Sequence, residues 1–170
     1  MQKRIVHPIP PLFNEQSRIL ILGSFPSVRS REACFYYGHP QNRFWKVISA
    51  VFDENTPVTT EEKKDLLLRN GVALFDVIAS CEITGSADSS IRNVIPNDLS
   101  VIVDAAHIEQ IFVNGRTAEK YYNKYTRDVI GREAVCLPST SPANAARSLD
   151  SLIKTWRSEI TGRGSTNGSQ

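Results

Sequence analysis

Short apolar runs alternate along this chain with segments whose apolar residues recur at helical spacing. The runs are bounded by glycine, proline or polar residues, which is typical of buried strands. They lie at residues 18–23, 72–78, 110–115 and 133–138. The clearest helical segment has five apolar residues at positions i, i+3, i+4, i+7 and i+8, namely Phe44, Val47, Ile48, Val51 and Phe52. That spacing puts the five side chains on one face, so we predict an amphipathic helix that packs inward.

The remaining helical patterns complete an alternation of strands and helices. Helices are predicted at residues 99–106, 118–125 and 149–160, and a helix rich in Glu and Lys at 61–69 ends at Asn70-Gly71, a typical helix C-terminus. Parallel strands joined by crossover helices form sheets that are covered on both faces. The pattern therefore predicts an α/β fold, a three-layer α/β/α domain with a central four-stranded parallel sheet.

Composition narrows the class of protein. The chain has 170 residues, 41% of them hydrophobic and 22% charged, which are the proportions of an ordinary globular domain. We expect one domain over residues 1–160 and a disordered tail over 161–170, where no large apolar side chain occurs. The three cysteines, Cys34, Cys81 and Cys136, form no CxxC pair, so neither a disulfide framework nor a metal site is predicted.

Hydropathy and charge bear on location and partners. No unbroken apolar run, such as Ile19 to Leu22, approaches the roughly 18 residues of a membrane span, and no signal-peptide core follows the basic start. We therefore expect a cytoplasmic protein that does not bind membranes. A formal net charge of +2 permits a polyanionic partner without requiring one.

Polar segments follow the predicted strands. Ligands of open α/β sheets bind beyond the carboxyl ends of the strands. Residues 23–42 form a long aperiodic loop with four aromatic side chains, the second strand runs past Asp76 into a polar segment at residues 80–90, and Asn114 ends the third strand. The fourth strand opens into a segment rich in Ser, Pro and Asn at residues 137–147. We expect these groups to converge at one edge of the sheet.

Three motifs resemble those of a known family. They are GSFPS at residues 23–27, YYGHPQNRFW at 36–45 and LPSTSPANA at 137–145. Their order and spacing resemble the uracil-DNA glycosylase superfamily, and most closely its hypoxanthine-DNA glycosylase branch. The resemblance implies a uracil-DNA glycosylase-like fold and excision of a deaminated base from double-stranded or single-stranded DNA by a monomer. It also implies that the reaction uses no metal or other cofactor.

The resemblance assigns roles to individual residues. Asn42 matches the catalytic asparagine of this branch, whose amide would orient the attacking water; from its position alone, Asn42 is also a good helix N-cap. The base-binding residues it implies are Phe25, Tyr36, Tyr37, His39, Asp76 and Asn114. The DNA-binding residues it implies are Ser24, Ser27, Ser139, Thr140, Ser141, Pro142 and Asn144.

Several of these residues have a second interpretation. Asp76 could accept the N1–H of hypoxanthine or the N3–H of uracil, or it could be an ordinary turn or helix-cap carboxylate. His39 could polarise the departing base or brace its loop. Tyr36 and Tyr37 could hold a base between aromatic rings, or they could belong to the core. The Ser141-Pro142 pair could start a helix whose N-terminus binds phosphate.

The chain departs from its relatives at two motif positions. Phe25 stands where the mismatch-specific enzymes have asparagine, and Ser139-Thr140-Ser141 offers hydroxyls where the major uracil enzymes have histidine. We therefore expect hypoxanthine as the substrate, with uracil or mismatched G:T and G:U pairs as the alternative. A catalytically inactive nucleic-acid-binding module is a second alternative. A serine hydrolase using Ser24 or Ser27 is disfavoured because no GxSxG motif is present.

Overall fold

The computed structural model describes residues 3–168, with side chains described as far as Gly162. The strands are β1 (Arg4–Val6), β2 (Ile19–Gly23), β3 (Val72–Asp76), β4 (Ile78–Glu82), β5 (Arg92–Pro96), β6 (Gln110–Asn114) and β7 (Val135–Leu137). The α-helices are α1 (Val28–Ala33), α2 (Phe44–Val51), α3 (Thr60–Arg69), α4 (Ser100–Ala105), α5 (Arg116–Tyr121), α6 (Arg127–Ile130) and α7 (Leu149–Gly168).

A four-stranded parallel sheet forms the middle layer of a three-layer α/β/α fold, as predicted. Its strand order is β3-β2-β6-β7, and every neighbouring pair is parallel. All five residues of β2 are buried, as expected for a central strand covered on both faces. The register pairs Gly23 with Asp76 and Asn114 with Leu137, so the last residues of the four strands lie along one edge.

The apolar run at residues 72–78 is not one strand, and that prediction was wrong. β3 ends at Asp76, and β4 begins at Ile78 in a second, antiparallel sheet of order β1-β4-β5. Ser80 belongs to β4, so the polar segment expected directly after the second strand starts later. An apolar run reports burial and does not reveal which sheet a strand joins.

Helix α2 occupies the predicted position and packs against α7. The rings of Phe44 and Trp156 meet edge to face, with centroids 5.9 Å apart. Helix α3 starts with a capping box in which Thr59 and Glu62 exchange backbone and side-chain hydrogen bonds, and Gly71 follows its end with φ +72°. Helix α1 lies inside the loop that we expected to be aperiodic.

Two other helical predictions differ from the structure. The helix expected at residues 118–125 is α5 followed by a π-helical turn, Tyr122–Thr126, and then α6. No helix begins at Ser141-Pro142, where the chain forms turns; α7 begins at Leu149, and the Ser148 hydroxyl accepts the Ser151 N–H.

The last helix, α7, continues past residue 160 to Gly168. The side chains from 163 onward and residues 169–170 lie outside the described part of the chain, so the expected tail stays a prediction. Among the described residues, no helix is both long and apolar enough to cross a membrane.

Candidate active site

One cleft of about 1150 Å³ opens at the carboxyl edge of the parallel sheet. Gly23, Asp76, Asn114 and Leu137, which end the four strands, all line it. Every residue to which the sequence analysis gave a role lines the same cleft: Ser24, Phe25, Ser27, Tyr36, Tyr37, His39, Asn42, Asp76, Asn114, Ser139, Thr140, Ser141, Pro142 and Asn144. The expected convergence at one edge is therefore confirmed, although it does not assign a role to each residue.

The side chain of Asn42 is anchored through its oxygen. Oδ1 accepts the backbone N–H of Phe44 at 2.9 Å and the hydroxyl of Thr140 at 2.9 Å. Asn42 thus accepts a hydrogen bond from the first backbone N–H of α2, as a capping residue would, although the N-cap residue itself is Arg43. No partner for the Asn42 Nδ2 occurs among the described residues, so this NH₂ group is the part of the amide left for a ligand.

A chain of hydrogen bonds sets the orientation of that amide. Nδ2 of Asn114 donates to the Thr140 hydroxyl at 3.0 Å and to the Tyr37 hydroxyl at 3.3 Å. The Oδ1 atom of Asn114 accepts the Thr140 N–H at 3.1 Å. Because the Thr140 hydroxyl accepts from Asn114, its own hydrogen goes to Asn42, which must therefore present oxygen to Thr140. The strand end at Asn114 is in this way connected to the start of α2.

Arg43 holds the loop that faces Asn42, a role that the sequence analysis missed. Its guanidinium donates to the carbonyl oxygens of Arg147 at 2.6 Å, Asn144 at 3.0 Å and Ser141 at 3.3 Å. Its backbone N–H donates to the Thr140 carbonyl at 3.1 Å. The planar five-donor fork of arginine suits several carbonyls at once, so Arg43 fixes the 140–147 segment against α2.

Asp76 is paired with His7, which no sequence motif singled out. His7 Nε2 lies 2.7 Å from Asp76 Oδ2, and the two side chains are only 3% and 6% exposed. The other ring nitrogen, Nδ1, accepts the N–H of Ile9 at 3.2 Å. Since Nδ1 acts as an acceptor, the histidine is neutral and carries its hydrogen on Nε2, which donates to the carboxylate.

The second carboxylate oxygen lies over Gly23. A Cβ atom at Gly23 would fall 2.5 Å from Asp76 Oδ1 and 3.2 Å from the Tyr37 hydroxyl oxygen, so only glycine leaves space there. Burial and the Asp76 charge both raise the pKa of Tyr37 above its ordinary value. The Tyr37 phenol therefore stays protonated and remains a hydrogen-bond donor.

The aromatic residues divide between the core and the cleft wall. Tyr36 is 2% exposed and its hydroxyl donates to the Pro10 carbonyl at 2.8 Å, so most of this ring belongs to the core. One face of Tyr37 is covered by Phe44, with ring centroids 4.1 Å apart. Phe25 is half-buried, and the guanidinium of Arg31 lies 5.6 Å from its ring centre. Phe25 and Tyr37 are thus the partly exposed rings of the cleft wall, whereas Tyr36 is buried.

Polar groups at the cleft rim mainly stabilise its loops. His39 Nδ1 accepts the Gln41 N–H at 3.1 Å, which braces the turn before Asn42. Ser27 caps α1, and its hydroxyl donates to the Ser30 hydroxyl at 3.1 Å rather than to a base. The geometry therefore gives Ser27 no partner for nucleophilic catalysis.

The Ser139–Asn144 loop is held by its own side chains. Ser139 Oγ accepts the Ser141 N–H at 3.1 Å, Ser141 Oγ accepts the Ala143 N–H at 3.2 Å, and Asn144 Nδ2 donates to the Ser139 carbonyl at 3.0 Å. Residues 86–89, which belong to the polar segment expected after the second strand, also line the cleft, together with the start of α5. Within the described part of the chain, no three His, Cys, Asp or Glu side chains cluster as metal ligands would.

The fold and cleft define an α/β protein with one polar site at the carboxyl edge of a parallel sheet. The sequence model of the Uracil DNA glycosylase superfamily matches residues 10–159, and the chain belongs to that superfamily.

Similar proteins include two curated proteins and a solved structure. A hypoxanthine DNA glycosylase of Methanosarcina barkeri is 32% identical over 149 residues, which are 86% of this chain and 92% of that protein. One from Methanosarcina acetivorans is 37% identical over 137 residues, 79% of this chain and 85% of that protein. A solution NMR structure of a protein from Methanosarcina acetivorans, described as a uracil DNA glycosylase, has a TM-score of 0.75 at 32% identity and covers 90% of this chain and 98% of that one.

Proposed function

We propose that this protein is a monofunctional DNA glycosylase that hydrolyses the N-glycosidic bond of hypoxanthine in DNA. Two curated relatives that align over most of the chain carry the name hypoxanthine DNA glycosylase, which supports the assignment. The structural observation that carries the proposal is that one cleft contains both a carboxylate acceptor, Asp76, held by His7, and an amide donor, Asn42, held by Thr140.

Asp76 suits the recognition of a deaminated purine. An enzyme that acts on a base in duplex DNA must extrude the nucleotide into a pocket. There the ionised carboxylate, which can only accept hydrogen bonds, would accept the N1–H of hypoxanthine. Adenine has an unprotonated N1, so two acceptors would face each other and adenine would be rejected. Phe25 would supply an apolar surface for the extruded ring.

Asn42 is the proposed catalytic residue. The N-glycosidic bond breaks through an oxocarbenium-like sugar, and water adds to C1′ on the opposite face. Because Oδ1 of Asn42 already accepts two hydrogen bonds, its NH₂ group would hold the oxygen of that water. An amide does not titrate near neutral pH, so Asn42 would position the water rather than remove its proton. The products are free hypoxanthine, which takes up a proton, and an abasic site.

The loop over residues 139–144 is the proposed contact with the DNA strand. It forms one rim of the cleft and is fixed by Arg43. The helix N-terminus proposed at Ser141 is absent, so backbone N–H groups and hydroxyls of the loop would meet the phosphates instead. We propose double-stranded DNA with one deaminated base as the substrate, single-stranded DNA as a further one, and a cytoplasmic monomer as the active form.

Single-turnover incubation with a panel of duplexes tests this function. Each duplex carries one hypoxanthine, uracil, xanthine or mismatched thymine, and alkali then cleaves the strand at any abasic site. The proposal predicts the fastest cleavage at hypoxanthine. Uracil is the second candidate because its N3–H would also meet the Asp76 carboxylate. Binding of the hypoxanthine duplex without cleavage would instead identify an inactive binding module.

A further inference from the structure

Two side-chain oxygen atoms, one from Asp76 and one from Tyr37, lie next to the space that the missing side chain of Gly23 leaves free. A Cβ atom at Gly23 would lie 2.5 Å from Asp76 Oδ1 and 3.2 Å from the Tyr37 hydroxyl oxygen. Gly23, Tyr37 and Asp76 all line the cleft. Gly23 and Asp76 are register partners in neighbouring strands, and Tyr37 lies on the loop that packs onto α2. The sheet and that loop thus place both oxygens next to Gly23.

The hydrogen-bond pattern gives these oxygens opposite character. The Tyr37 oxygen accepts from Asn114 Nδ2 at 3.3 Å, and no acceptor for its hydrogen occurs among the described residues. Asp76 Oδ2 accepts from neutral His7, which leaves Oδ1 as a second acceptor. The phenol therefore offers a donor beside the acceptor offered by the carboxylate.

We propose that Tyr37 and Asp76 together read the lactam edge of the extruded base, with Tyr37 donating to the ring carbonyl and Asp76 accepting the adjacent N–H. Hypoxanthine presents this edge as O6 and N1–H. Adenine presents a donor and an acceptor in the reverse order, so both contacts oppose it. The inference rests on the proposed function and adds Tyr37 as a residue that determines specificity.

His7 determines how the side-chain amide of an Asp76→Asn variant would be oriented. The His7 Nε2–H needs an acceptor, so the new amide would turn its oxygen toward His7. Its NH₂ group would then face the cleft. The variant exchanges an acceptor for a donor at the position of the ring N–H, and it should favour a base whose N1 is unprotonated.

The test compares two bases that differ only at the lactam edge. Duplexes carry hypoxanthine or unsubstituted purine on a 2′-fluoroarabino sugar, whose electron-withdrawing fluorine disfavours the oxocarbenium-like state and slows cleavage. The readout is the ratio of the two dissociation constants. The wild-type protein should bind hypoxanthine about tenfold or more tightly than purine, since purine leaves both protein groups unpaired.

Each variant has its own expected ratio. Tyr37→Phe keeps the ring stacked on Phe44 and should reduce the preference for hypoxanthine by about tenfold. Asp76→Asn should bring the preference to unity or reverse it. Tyr125→Phe and Asp128→Asn make the same chemical changes outside the cleft and should leave the ratio unchanged. Thermal melting of every variant verifies folding. If one of the two cleft variants does not fold, the ratio of dissociation constants measured for the other is sufficient to test the proposal.

Three results would overturn the inference. They are a wild-type ratio near one, an equal loss of affinity for both duplexes in Tyr37→Phe, and an unchanged ratio in Asp76→Asn. A general disturbance of the Asn114–Thr140–Asn42 chain would weaken both duplexes equally, so the ratio separates base reading from such a structural effect. Excision of hypoxanthine by the wild-type protein together with unchanged ratios would leave the proposed function intact and reject only the lactam reading.

Discussion

His7 and Asp76 lie 69 positions apart in the chain, yet their side chains form a buried hydrogen bond that fixes the orientation of both. The neutral ring donates through Nε2 because Nδ1 is occupied by the Ile9 N–H. A carboxylate buried without such a donor is costly, since it loses its hydration and gains nothing in return. The carboxylate that lines the cleft is therefore held by His7, a residue that does not itself line the cleft.

Removing the donor at His7 should weaken both stability and excision. His7→Phe keeps an aromatic ring among Phe25, Tyr36 and Phe75 but leaves Asp76 unpaired, at a cost of about 2 kcal/mol in the free energy of unfolding. His7→Gln retains an N–H donor and should lose less of both properties. Urea denaturation and single-turnover excision measure the two effects. Equal stability of His7→Phe and the parent would contradict the pairing.

Tyr36 couples stability to alkaline pH. Burial is the main reason that its pKa lies above the ordinary value of 10.0. Above that pH the unfolded chain loses the phenolic proton while the folded protein keeps it, so stability must fall as pH rises. The expected slope is about 1.4 kcal/mol per pH unit for each such tyrosine. Urea denaturation between about pH 9 and pH 11 should show a smaller slope for Tyr36→Phe than for the parent; equal slopes would refute this assignment.

At the scale of elements, Arg43 joins α2 to the loop at residues 139–147. Three carbonyl oxygens of that loop accept from one guanidinium, and the Arg43 N–H adds a fourth hydrogen bond. The loop contains no helix or strand of its own, so its shape depends on these bonds. The same loop carries Thr140, which orients Asn42. A change at Arg43 should therefore alter the position of the Asn42 amide, the proposed catalytic group.

Arg43→Met keeps an unbranched apolar stem and removes the donors. We expect backbone hydrogen exchange across residues 139–148 to accelerate, stability to fall by about 1–2 kcal/mol, and hypoxanthine excision to fall about tenfold. Arg132→Met is a matched control because the Arg132 guanidinium donates to the carbonyls of Ile108 and Glu109 outside the cleft. It should cost comparable stability without changing excision. If both variants changed excision equally, the role of Arg43 would be one of stability alone.

The sequence allowed most of the parallel sheet to be predicted, because each of its strands is a compact apolar run. It did not allow the second sheet to be predicted. β1 and β5 are mostly exposed, with Val6 and Ile95 69% and 52% exposed, and an exposed edge leaves little periodic signal. The predicted cleft residues lie either in the three contiguous motifs or, for Asp76 and Asn114, at the ends of apolar strands, so the sequence pattern locates them. His7 and the loop contacts of Arg43 were not, since the choice of partner is made by tertiary packing.

For the whole molecule, we expect the affinity for undamaged DNA to depend strongly on salt. The net charge is only +2, so binding to the backbone would come from local contacts around the cleft rather than from the total charge. Phosphate-dominated affinity falls steeply between about 50 and 200 mM salt. Fluorescence anisotropy with an undamaged duplex measures this slope, and an affinity independent of salt would contradict the phosphate contacts proposed for the loop.

Single-turnover excision by Asn42→Ala, measured beside the parent, tests whether Asn42 positions the water that attacks the sugar. Loss of the Asn42 oxygen removes an acceptor at the start of α2 and should cost about 1 kcal/mol of stability, which leaves the protein folded. We expect the parent to remove hypoxanthine, and the folded variant to bind the same duplex but to excise the base more slowly by about a hundredfold or more. Excision by folded Asn42→Ala at near the parental rate, or no excision by the parent, would rule out this role of Asn42.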